Sequence, residues 1–287
     1  MQIMSLITAL PGATAQGLIW GIMAIGVYIT FRILDIADLT VDGTLCTGGA
    51  VCIMMMLSGH NVWVSMLVAT GAGLLAGLAT GIFHTFMGIP AILAGILTQL
   101  SLYSVNLKIM GKANQAINVD KFNLLVSLRR VKGVALTQNT LFIVAIMIII
   151  LIAVLYWFFG TELGCSLRAT GCNPSMSRAQ GINTDRNKVL GLMLSNGLVA
   201  LSGALLTQYQ GFADINMGRG SIVIGLAAVI IGEAIFSRIF RNFALKLLSV
   251  VFGSILYYLV LQIVIWMGID TDLSLIHISE PTRHAQI

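Results

Sequence analysis

The chain has 287 residues, 57% of them apolar and only 9% charged, with a mean hydropathy of +0.95. A soluble domain carries about 25% charged residues, so this composition belongs to a polytopic membrane protein of one membrane domain and leaves no room for a soluble catalytic one. The net charge of +5 is what loops beside anionic lipid produce, and it is no sign of nucleic-acid binding.

The N-terminal stretch MQIMSLITALPGATAQG carries a cleavage-like Ala13-Thr14-Ala15. It has no positively charged region and a better span follows, so it reads as a non-cleaved lead-in. Runs long enough to approach the ~20 residues of a bilayer crossing then come in order. They are Ala13–Leu34, Thr44–Ser58, Val62–Phe86, Gly88–Met110, Gln138–Gly160, Val189–Gln208, Gly220–Ser237 and Lys246–Gly268, the second and seventh being short. The expectation is an all-α transmembrane helical bundle of about eight spans, a single domain over residues 1–272. The one long hydrophilic loop, Gly111–Thr137, falls between the fourth and fifth spans.

An internal repeat gives the clearest clue to mechanism. Ala37-Asp38-Leu39-Thr40-Val41 recurs as Ala213-Asp214-Ile215-Asn216-Met217. Each copy is followed by a glycine and by another five residues on, Gly43 and Gly48 in the first and Gly220 and Gly225 in the second. Both copies open a short apolar run, and five crossings separate them, an odd number that gives them opposite topology. Inverted repeats with short, glycine-interrupted helices near the midplane are what transporter cores are built from. Broken backbone at that depth is tolerated only where it lines a cavity or is buried in protein. Asp38, Thr40, Gly43 and Gly48 are therefore expected to flank a translocation path with Asp214, Asn216, Gly220 and Gly225. The bland alternative is two chance loop motifs with an Asp cap before a helix.

Ionisable groups near membrane depth are functional candidates by default. Asp35, Asp38 and Asp42 cluster after the first span with Arg32 close by; an Arg32–Asp35 pair or plain interfacial caps would explain them equally well. Glu233 lies late in the seventh span near Arg238 and Arg241, where an ion pair or a contact to a loop is the better reading than a solute ligand. Gly73, Gly77 and Gly81 form a small-xxx-small stripe that lets helix backbones approach. The fourteen methionines read as packing residues, and the tryptophans partly as interfacial anchors. Four cysteines and four histidines are scattered without metal-ligand spacing. No GxxxxGK[ST], HExxH or GxSxG occurs, so the chain is not expected to be an enzyme or to hydrolyse ATP itself.

The polar stretch Cys165–Lys188 is punctuated like a very short helix. Asn173 is placed as its N-cap, Pro174 at the first helical position and Gly181 at a left-handed stop. Pro174–Gln180 would be about 10 Å long, too short to stand alone in water, and so would dock into something or be an ordinary surface turn.

The run LRATGCNPSMSRAQGIN, a long apolar helix, and then LTQYQGFADINMGRGSIVIGLAAVIIGEAI resemble the permease subunits of bacterial ABC importers. The branch is the one that moves branched-chain amino acids, ribose-type sugars and related solutes, and within it the amino acid permeases, including aromatic ones, are most similar. The resemblance covers residues 15 to 268 and implies that the short helix is a coupling helix seated on a cytoplasmic ATPase subunit. Arg168, Asn173, Pro174, Ser175, Met176, Arg178 and Gly181 would then form the ATPase-coupling loop within residues 161–188. It also implies a solute-binding protein outside, a second permease copy or homologue, and no cofactor on this chain, with ATP and Mg held by the partner. The setting would be the bacterial inner membrane and its lipid.

Lys and Arg alone barely decide the orientation: eight lie on the side of the 161–188 loop, against six on the other, or seven with Arg219. The resemblance breaks that tie by placing the coupling loop in the cytoplasm, with Gly111–Thr137 outside. After Asp272 the chain reads LSLIHISEPTRHAQI, and Leu273–Arg283 resembles the translation of a sequencing-library transposon adapter. Residues 273–287 are therefore expected to be a non-native tail without packed structure, replacing a further apolar span. The functional expectation is an importer subunit for a small amino acid-like solute, with a sugar or nucleoside as second choice. An ion-driven secondary transporter is the rival; it would need acids deep in the spans and no capped loop helix.

Overall fold

The computed structural model describes residues 2–117, 122, 124–131, 139–236, 240 and 242–267. The expected tail at 273–287, Arg238, Arg241 and much of the 111–137 loop lie outside the described residues. Among the described residues ten α-helices follow in order: α1 (Gln2–Tyr28), α2 (Thr40–Leu57), α3 (Val62–Thr85), α4 (Ala91–Met110), α5 (Thr140–Gly160), α6 (Glu162–Cys172), α7 (Pro174–Ala179), α8 (Thr184–Gln210), α9 (Ser221–Phe236) and α10 (Phe243–Trp266). Seven are long and apolar enough to cross a membrane, while α9 is apolar but shorter. The eight expected spans are thus seven full-length helices and one short one.

Two parts of the expected loops are structured. Residues 162–172 form a helix of their own, and residues 184–188 are the first turn of α8 rather than loop. On the other side of the bundle, β1 (Asn114–Ala116) pairs antiparallel with β2 (Phe212–Asp214), which ties the fourth connection to the end of α8. Three-residue strands leave no periodicity to read in advance.

The direction of each helix follows from what its small residues touch. Gly73, Gly77 and Gly81 of α3 meet Asn196, Leu192 and Val189 of α8 in descending order, so α3 and α8 are antiparallel. Leu45 and Gly49 of α2 meet Gly203, Gly48 meets Ala200, and Gly49 meets Thr207, so α2 and α8 climb together. On the far side, Gly17 and Gly21 of α1 lie against Ile255 and Ser254 of α10, and Gly225 of α9 against Met23 and Val27 of α1. Lipid tails are as apolar as the side chains, so close backbone approach and interhelical hydrogen bonds take the place of a hydrophobic drive. Ser202, Ser195 and Ser254 supply such bonds, donating to the carbonyls of Ile19 (2.8 Å), Gly26 (2.7 Å) and Gly17 (2.6 Å).

Between α1 and α2 the helix breaks. A π-helical turn, Ile29–Ile33, is followed by Asp35 at φ 55°, a left-handed conformation that Asp tolerates better than most residues. The chain then runs non-helically back into the bundle, where Ile36 and Asp38 are buried. Asp38 reaches Asn196, the thirteenth residue of α8, about 18 Å along that helix at 1.5 Å per residue. So α2 begins near the middle of the bundle, and its 18 residues carry it only to the strand-bearing end.

The glycine contacts set up a paired test. Gly77 has backbone of Leu192 and Met193 where a Cβ would stand, whereas Gly71, six positions earlier on α3, has open space. In detergent, Gly77→Ala is expected to lower the melting temperature, as overpacking costs about 1–3 kcal/mol. Gly71→Ala is expected to leave it unchanged or raise it, since removing a helix-interior glycine gains up to about 1 kcal/mol.

Candidate functional site

The two copies of the repeated motif fold alike at their aspartates and differ after them. In the first, the Asp38 carboxylate accepts from the Thr40 amide (2.9 Å); in the second, Asp214 accepts from the Asn216 amide (2.7 Å). Each is the short side-chain turn that Asp makes two residues ahead of itself. From there α2 starts at once, whereas the second copy runs through a turn of residues 215–220 before α9 begins at Ser221. The paired glycines therefore occupy different places. Gly43 lies in the first turns of α2 beside Gln99, while Gly220 precedes α9 with φ 75°. Gly48 and Gly225 are both helix-contact glycines, against Ala200 and against Met23 and Val27.

The copies meet through Asp42. One carboxylate oxygen of Asp42 accepts from the Ser221 hydroxyl (2.8 Å) and the Ile222 amide (3.0 Å), and the other from the Gly220 amide (3.0 Å). Asp42 thus caps α9 from a different helix, 178 positions away in the chain. A negative group is favoured there by the helix dipole as well as by the free amides. The sixteen residues of α9 span about 24 Å, short of the ~30 Å hydrocarbon core, which fits a start at this depth. Starting from this level, α2 and α9 run in opposite directions, since α9 lies parallel to α1 and α1 antiparallel to α8.

Around this junction the bundle is polar. Asp38, 1% exposed, also accepts from Asn196 Nδ2 (2.7 Å). The Thr44 hydroxyl donates to Asn196 Oδ1 (2.8 Å). The Thr40 hydroxyl joins Thr80 (2.7 Å), which donates to Thr98 (2.9 Å), linking α2, α3 and α4. A cavity of about 380 Å³ opens beside it, lined by Asp42, Gly43, Cys46, Gln99, Asn106 and Arg219 among others. Of the expected path residues, only Gly43 is on that wall. Asp42 falls within the expected stretch from Asp38 to Gly48, while Gln99, Asn106 and Asn196 were not singled out as path residues, although polar side chains inside apolar spans are themselves a signal.

The expected short helix is present as α7, Pro174–Ala179, one residue shorter than anticipated because Gln180 is already its C-cap. Asn173 Oδ1 accepts from the Met176 amide (3.0 Å), and Gly181 adopts φ 82° with its amide donating to Arg178. Ser175 is exposed, and Met176 is 60% exposed on the same short helix. Arg178, itself exposed, donates to the Thr184 hydroxyl (2.7 Å) and pairs with Asp185 (3.4 Å), which ties α7 to α8. Arg168 is on α6 with its guanidinium over the Phe243 ring of α10, 5.5 Å from the centroid. Arg32 pairs with Glu233 of α9 (2.9 Å) rather than with Asp35. That single bond accounts for both residues and joins the same ends of α1 and α9.

Among the described residues no group of three or more His, Cys, Asp or Glu is arranged to hold a metal ion.

A family profile described as "Branched-chain amino acid transport system / permease component" matches residues 10–278. The chain is 39% identical over 262 residues to the tyrosine transport system permease protein of Clostridioides difficile, covering 91% of this chain and 85% of that one. It is also 39% identical over 269 residues to an uncharacterized protein of Rickettsia prowazekii, covering 92% and 90%. Among solved structures, PsaBC from Streptococcus pneumoniae in complex with Fab aligns over 91% of this chain with 19% identity and a TM-score of 0.45.

The Asp42 cap yields a direct test. Asp42→Ala removes the acceptor for three donors at the start of α9, and losing a cap costs about 1–2 kcal/mol. Hydrogen exchange should show faster exchange at the Ile222 amide together with a lower melting temperature. Asp214→Ala, which loses only the local Asn216 turn, is expected to shift the melting temperature less.

Proposed function

The chain belongs to the family of branched-chain amino acid transport permease components, and on that footing we propose that it carries an amino acid, aromatic ones included, through the membrane of an ATP-driven importer. As a permease component of an ABC-type system it is a multi-pass membrane subunit and not itself catalytic. Such a system implies an ATPase and a solute-binding protein as partners. The substrate class in this proposal is supported by the similarity to the tyrosine permease over most of both chains.

One observation carries the coupling part of the proposal: an isolated helix of six residues, capped at both ends and projecting Met176 into solvent. A six-residue helix does not form by itself in water, so its caps and its tie to α8 through Arg178 hold it ready for something else to cover it. In this reading the ATPase subunit covers α7, and Arg178 stiffens the link to α8 rather than contacting the partner. A second copy of the permease, or a homologue, completes the pore. The binding protein delivers solute at the end bearing β1 and β2. ATP-driven movement of the ATPase pair pushes α7, and the pore changes access by rigid rocking of one permease against the other.

Replacing residues 174–181 with a glycine-serine linker tests this reading. The linker variant should still insert in the membrane but no longer co-purify with the ATPase, and its uptake of labelled L-tyrosine should fall to background. Uptake that continues without an attached ATPase and follows an ion gradient would overturn the proposal in favour of secondary transport.

A further inference from the structure

We propose that the cavity between α2, α4 and the 215–219 turn binds the zwitterionic head of an amino acid in transit, with Asn106 accepting from its ammonium group and Arg219 donating to its carboxylate. This deepens the amino acid reading and rests on it. The cavity, about 380 Å³, lies within the range of small-molecule sites.

Asn106 is the strongest sign. It is 1% exposed, its Nδ2 donates to the Gly43 carbonyl (3.3 Å), and its Oδ1 is buried with no hydrogen-bond partner. Buried carbonyl oxygens are almost always satisfied, so an orphan on a cavity wall calls for a donor that arrives from outside. None of the donors on the wall reaches it: the Cys46 thiol donates to the Asp214 carbonyl (3.5 Å), and Gln99, Tyr103 and Arg219 line the cavity without bonding to it. Both oxygens of Asp42 accept from the start of α9. Asp42 nevertheless leaves its negative charge on that wall, which favours an ammonium beside Asn106.

Arg219 provides the positive charge. It is exposed, lines the same cavity, and makes no ion pair with the described residues. The turn that carries it is fixed by its amide donating to Asn216 (3.0 Å). A guanidinium matches a carboxylate with two parallel hydrogen bonds. An acid and a base lining one cavity suit a molecule with both charges, and suit neither a neutral sugar nor a simple ion. Tyr103, on the rim, offers a ring to the solute's side chain.

Thiol protection in membranes containing the full chain tests the site. Leu100, exposed at the cavity, is replaced by Cys after the exposed Cys165 and Cys172 are changed to Ser, and labelling by an impermeant methanethiosulfonate is followed. L-tyrosine is expected to slow labelling at concentrations about tenfold lower than tyramine, which lacks the carboxylate, or 3-(4-hydroxyphenyl)propionate, which lacks the ammonium. Arg219→Gln should erase the preference over tyramine, Arg219→Lys should keep part of it, and Asn106→Leu should erase the preference over the propionate. Arg219 is exposed, so its arm holds even where Asn106→Leu fails to fold. If membranes that take up tyrosine show labelling indifferent to all three compounds, or equal protection by them, the site is overturned while the transport reading stands. Uptake of a sugar and of no amino acid by the same membranes would overturn both.

Discussion

A helix that starts inside a membrane has four amide hydrogens and no water to satisfy them. This chain meets that constraint with carboxylates, at both of its interrupted helices. Asp38 turns the chain into α2, and Asp42 caps α9 from across the bundle. Much of the surrounding architecture follows from keeping these acids bonded, Asp38 fully buried and Asp42 half-buried. In the non-helical 35–39 segment Ile36 and Asp38 are buried while Asp35 and Ala37 are exposed, and α3, α4 and α8 pack where that segment enters α2. The second oxygen of Asp38 must be satisfied, so Asn196 stands in the middle of α8 and is itself held by the Thr44 hydroxyl.

The packing obeys the same economy of polar groups. Glycines let the helix axes come close, and serines use that closeness to donate to carbonyls on the facing helix. The link between the two is clearest at α10, where Ser254 reaches the Gly17 carbonyl and Gly17 lies against Ile255. Arg32 and Glu233 do the equivalent at the end of the bundle, partly open to water, where an exposed pair contributes little to stability and more to keeping α1 and α9 level.

Legibility in the sequence tracked how local each interaction is. Asn173, Pro174 and Gly181 were readable because a cap and a left-handed stop are decided within the nine residues 173–181. The small-residue stripe on α3 was readable as a contact face, though not as a face for α8, since spacing says nothing about the partner. The motif around Asp38 and Asp214 was readable as a repeat, and its turns did form twice. Its glycines misled, because the second copy inserts a turn before α9 that the first lacks. The role of Asp42 was out of reach: a carboxylate whose donors lie 178 positions away looks like any interfacial acid. The β1–β2 pair was equally hidden, being too short to leave a pattern.

The bonds across the junction also bear on where movement can occur. α7 is tied to α8 by Arg178 and Thr184, and α6 to α8 by Asn187 and Thr170 (2.9 Å). Further along the same helix, Asn196 holds Asp38, and Ser195 and Ser202 hold α1. A push on α7 therefore meets a rod already fastened to α1 and α2, and through Asp42 to α9. On the proposed reading these short bonds and backbone contacts, which do not stretch by ångströms, carry this set of helices as one body. Of the seven spanning helices, those with most free surface are α4 and α5, each only 22% buried in its spanning window. They are where this body has something left to meet, in lipid or in a second permease. On the proposed reading, access then switches between permease copies and not within one, and the cavity wall on α4 is carried past its counterpart by that rotation.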